Sequence, residues 1–128
     1  MNIIEMQVRE ARGVFRLALE SIEESQVWQS VNTIDIPQTP PFPDMPEIAG
    51  QKTLSLARKI SMNHDKQTRI EEILSACDSL VIFDLKIRAA RFLTFLNSSK
   101  EPVVWPTEPK DVWIHIAKAK LPKLPGHP

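Results

Sequence analysis

Ile4, Val8, Ala11, Phe15, Ala18 and Ile22 recur at alternating four- and three-residue steps, the spacing of a helix face packed on a core. Val14, Leu17 and Leu19 widen that seam, so a first helix is predicted from about Ile3 to Val31. Glu5 with Arg9 and Arg16 with Glu20 are opposite charges one turn apart, each pair supplying about 0.3 kcal/mol on an exposed face. Gly13 interrupts this pattern at a cost of about 1 kcal/mol relative to alanine. Arg9, Arg12 and Arg16 form a basic stripe beside the seam, softened by Glu5 and Glu20.

After Gly50, Leu54, Leu56, Ala57 and Ile60 predict a shorter helix from about Gln51 to Met62. Asn63-His64-Asp65 reads as a break, with Asp65 or the Thr68-x-x-Glu71 box as the next N-cap. The longest helix is then expected from about Lys66 to Leu96. Ile70, Leu74, Cys77, Val81, Leu85, Ala89, Phe92 and Leu96 hold one helical period, and Ile73, Leu80, Phe83 and Ile87 cover a second face. A helix apolar on two sides belongs at the centre of a fold. Asp84 precedes Arg88 by one turn and Arg91 by two, so these charges are expected to neutralise one another. Asn97-Ser98-Ser99 and Pro102 end this helix, and Val103-Val104-Trp105-Pro106 reads as extended. Thr107 as N-cap and Pro109 in the first turn predict a last helix from about Glu108 to Lys120.

Between the first two helices, Pro37, Pro40, Pro43 and Pro46 stand at strict three-residue spacing. Polyproline II turns once every three residues, which puts the four rings on one face and Phe42 and Met45 on a neighbouring one. About ten residues at ~3.1 Å each span roughly 30 Å, the length of a bundle. The segment 36–48 therefore reads as a stiff crossover strap that lets the second helix run parallel to the first. The expected fold is all-α and four-helix bundle-like, with two long helices and this proline-rich strap. Residues 1–120 form a single helical domain and 121–128, with Pro122, Pro125 and Pro128, an extended tail.

Composition narrows the class. At 128 residues, 42% hydrophobic and 25% charged, the chain has enough apolar content for a packed core. The longest clearly apolar run, Leu80 to Phe83, is far short of the ~20 residues of a membrane span. Glu5, Arg9 and Glu10 stand where a secretory leader needs apolar residues. With the single Cys77 in apolar surroundings, these features make a reducing, cytoplasmic or intraviral location the expectation. Basic and acidic residues balance at 16 each, but not by region: residues 1–50 hold three basic against eight acidic, and the remainder thirteen against eight. The halves can pair within one fold or between subunits.

The chemistry inventory is thin. His64, His115 and His127 belong to no metal-ligand spacing, and Asp111 with His115 supplies only two ligands, so neither metal nor cofactor is expected. Cys77 reads as a core residue. Glu23-Glu24 and Glu71-Glu72 are adjacent pairs that diverge by about 100° on a helix. Arg58-Lys59-Ile60-Ser61-Met62-Asn63-His64 is similar to the arginine-spacer-histidine motif of HEPN ribonucleases, small all-helical dimers that cleave RNA without metal. That resemblance covers seven residues and implies Arg58 and His64 as the working pair.

Three functions follow, in order. The first is a small non-enzymatic accessory or adaptor protein that binds a protein partner and self-associates, because the two long apolar helices exceed what the short ones can cover. Its expected contacts are Phe42 and Met45 on the strap and Trp105 and Trp113 near the C-terminus. The second is a nucleic-acid-binding accessory using Arg88, Arg91, Lys118, Lys120 and Lys123, with the tryptophans stacking on bases. The third is the HEPN-like ribonuclease.

Overall fold

The computed structural model describes residues 2–31 and 50–120. The strap with Phe42 and Met45, and the tail with Lys123, lie outside the described residues. Among those described, the chain is all helix and connection, with no strand. Helix α1 spans Ile3–Glu20, α2 Gln26–Ser30, α3 Gly50–Asn63, α4 Gln67–Ser75, α5 Ser79–Ser98 and α6 Val112–Lys118. A 3-10 turn, Pro109–Asp111, leads into α6.

Both long helices predicted from apolar periodicity are broken, and hydroxyl or carboxylate capping breaks them. The Asn2 side chain starts α1 by accepting from the Glu5 amide at 2.8 Å. At the other end, Ser21 Oγ donates to the Ala18 carbonyl at 2.6 Å, and the Ser25 hydroxyl accepts from the Trp28 amide at 3.2 Å to open α2. The two serines give the backbone local partners that compete with the helical ladder. In the same way, Asp78 ends the reach of α4: its Oδ1 accepts from the Leu80 amide at 2.8 Å and starts α5 afresh. The break at 63–65 stands where expected, but Lys66 occupies the N-cap of α4 without a side-chain cap, while Asp65 meets His64. The last helix is likewise shorter than its predicted span, since Pro109 opens a 3-10 turn in place of the first α-turn.

Helix α5 is central, as its two apolar faces require, packing against α1, α3 and α6. Phe15, Ile22, Leu56, Ile60, Ile70, Leu74, Leu85, Leu96, Trp113 and Ile116 form one continuous core. A buried polar link runs through it. Thr53 Oγ1 donates to Asp84 Oδ2 at 2.7 Å, and Arg88 Nε approaches the same oxygen at 3.4 Å. Arg88 Nη1 also donates to the Ala119 carbonyl at 3.1 Å, capping the end of α6. One carboxylate thus couples α3, α5 and α6.

A second cation holds α2. Lys86 Nζ donates to the Trp28 and Val31 carbonyls at 2.7 and 2.8 Å and lies 5.5 Å from the Trp28 ring centre. Burial lowers its pKa from the ordinary lysine value.

Candidate protein-interaction surface

Helix α1 has three faces. Val8, Ala11, Phe15 and Ala18 are buried. Glu5, Arg9, Arg12, Arg16 and Glu20 make an exposed charged ridge, but neither predicted i,i+4 ion pair forms. Ile3, Met6, Glu10, Gly13 and Leu17 lie on a third face, turned roughly 140° from the core face at 100° per residue. Ile3 is 72% exposed and Leu17 53%. Leu17, read from sequence as part of the seam, belongs to this outer stripe instead.

The stripe borders a groove of about 490 Å³ whose other wall is the extended segment Val103 to Thr107. Trp105 forms the base of that wall. Its ring stacks on Phe15 at 5.5 Å and 9°, meets Phe92 at 5.6 Å and takes the His115 ring edgewise at 5.0 Å. These contacts fix Trp105 half-buried at the groove while Val104 beside it is 89% exposed. Burial lowers the pKa of His115 below its ordinary 6.5. Among the described residues, Glu10 is the one charged side chain lining the groove.

Gly13 sits in the middle of this surface. A methyl group added there would meet nothing within 4 Å, and the residue is not in the left-handed region. Nothing among the described residues requires a glycine at this position.

Trp113 is fully buried and meets Trp28 edgewise at 5.4 Å, so it serves the core and offers no surface to a partner. Of the basic residues expected to meet nucleic acid, Arg88 is committed to Asp84 and the carbonyls ending α6. Arg91 is half-buried, and Lys118 and Lys120 are exposed. Arg58 is exposed on α3, whereas His64 lines a separate cleft with Met62, Lys66 and Asp111. His64 Nε2 lies 2.6 Å from Asp65 Oδ1. No cluster of His, Cys, Asp or Glu suited to a metal ion occurs among the described residues. No helix among them is long and apolar enough to cross a membrane.

A cleft of about 560 Å³ between α3 and α4 completes the surface features. Cys77 lines it, and burial with Asp78 alongside raises its thiol above the ordinary value. Sequence reading singled out neither this cleft nor the outer stripe of α1. The stripe was detectable in the angular offset of Leu17 from Phe15 and Ala18, and the cleft in the absence of any acidic residue from α3. Compared with models of known families, with curated proteins and with solved structures, the chain matches none.

Proposed function

We propose that this protein is a non-enzymatic helical accessory protein that binds another protein in the groove between α1 and Val103 to Thr107. The observation that carries the reading is Gly13, a helix-destabilising residue at the centre of an exposed apolar stripe, with open space above it and no use among the described residues. A glycine so placed lets a second helix approach the backbone of α1 closely. The occupant that fits is an amphipathic helix of another chain, with aliphatic residues toward Met6 and Leu17 and a lysine or arginine toward Glu10. A symmetric pairing of two copies centred on this groove would oppose the two Glu10 carboxylates with no groove cation between them. That favours a different chain over self-association at this site.

Zero-length carbodiimide coupling in an extract of cells that make the protein tests the reading. The supporting result is a Glu10 crosslink to a lysine on an amphipathic segment of one partner, lost in both Leu17→Glu and Glu10→Gln. Capture that survives both substitutions, or crosslinks that avoid Glu10, would overturn it.

A further inference from the structure

The cleft between α3 and α4 carries an uncompensated charge pattern. Helix α3 holds Lys52, Arg58 and Lys59 and no acidic residue. Lys52 and Lys59 line the cleft on one face of the helix, roughly 10 Å apart at 1.5 Å per residue. Neither makes an ion pair with a described residue.

The other charges at the rim are already engaged. Arg69 and Glu72 pair at 3.1 Å, and Asp78 caps α5 through the Leu80 amide. Between the charges the floor is apolar, formed by Leu56, Ile73, Ala76 and Val81. All four ion pairs among the described residues join near neighbours in sequence, and none crosses from the acidic first half to the basic second. Among the described residues, nothing neutralises the two lysines.

We infer that this cleft is a second docking site, which receives an acidic amphipathic helix of another protein. Two carboxylates seven residues apart on that helix meet Lys52 and Lys59, and the leucine-like residues between them cover Ile73 and Ala76. The volume lies in the range of roughly 300–1,000 Å³ typical of ligand-binding clefts. A phosphate backbone has no use for the apolar floor, which selects a peptide over nucleic acid. The site shares no residue with the α1 groove and does not depend on what that groove binds.

The test is fluorescence anisotropy on the full chain with a labelled synthetic helix whose two glutamates are spaced like Lys52 and Lys59 and enclose leucines. Binding is expected to weaken about tenfold in Lys52→Glu/Lys59→Glu, the summed effect of two exposed charge pairs turned repulsive. A peptide with lysines in place of the glutamates is expected to recover binding to that variant. Both lysines are exposed and their side chains bond to no described residue, so the variant keeps the fold, which circular dichroism checks. Cys77 is the only thiol and lines the cleft, so the peptide should slow its alkylation by iodoacetamide. Unchanged affinity in the reversed variant, or an alkylation rate indifferent to peptide, would overturn the inference. So would preferential, salt-sensitive binding of a single-stranded oligouridine probe, or a homodimer that dissociates on reversing the two lysines.

Discussion

Thr53 Oγ1 lies 2.7 Å from Asp84 Oδ2, a bond across 31 residues of sequence between two side chains with almost no exposed surface. Because Arg88 shares that carboxylate and also ends α6, the hydroxyl of Thr53 contributes to the placement of three helices. Thr53→Val keeps the shape and removes the donor, leaving Asp84 short of a partner in the interior. The expected loss is about 1–3 kcal/mol, read from urea unfolding followed by circular dichroism.

His115 should confer a pH dependence on stability. Its pKa is lowered in the folded chain by burial, so the unfolded chain takes up the proton more readily. Stability is therefore fully present above the ordinary pKa of 6.5 and falls as the pH drops below it, until the folded-state pKa is passed. Thermal melts between neutral and mildly acidic pH should show this slope in the wild type and a flatter one in His115→Gln.

The two described glycines should respond oppositely to alanine. Gly13 has helical geometry and open space, so Gly13→Ala is expected to raise stability by about 1 kcal/mol. Gly50 also has open space but sits at a φ of +27°, where a Cβ is strained, and Gly50→Ala should cost about 1 kcal/mol. If Gly13 serves close approach of a partner helix, Gly13→Leu will weaken the Glu10 crosslink while leaving the fold intact.

Lys86 should be worth more than an ordinary exposed lysine. Lys86→Met retains the aliphatic stem but loses both bonds to the Trp28 and Val31 carbonyls, at an expected cost of about 1–2 kcal/mol. Amide exchange at Val31, whose N–H bonds to the Trp28 carbonyl, should accelerate in that variant.

Periodicity made the all-helical class and the central place of α5 legible, because burial follows a 3.6-residue repeat wherever the backbone is helical. What it missed were interruptions that hydrophobic spacing does not register. Cys77 and Val81 keep the period across the α4–α5 break, so the pattern reads as continuous while Asp78 caps a new helix. Ser21 and Ser25 act likewise after α1. At the candidate surfaces the difficulty was different: Leu17 differs from a core leucine only by its angle around α1, and Lys52 and Lys59 differ from solvated lysines only by what packs between them. Trp113 and Arg88 read in sequence as residues for a partner or nucleic acid, yet their side chains hold the interior together.

The anchors on α5 carry a mechanical consequence for the whole chain. Val31 is held through its carbonyl by Lys86, and Thr53, just after the start of α3, is held by Asp84, two residues away on the same helix. Both sides of the intervening connection are thus tied to one post by non-covalent bonds and core packing. These ties hold the described stretches 2–31 and 50–120 together independently of the covalent link between them. A chain cut by protease inside that interval should elute as a single particle and separate into its two pieces only on unfolding, behaving as a heterodimer of its own fragments.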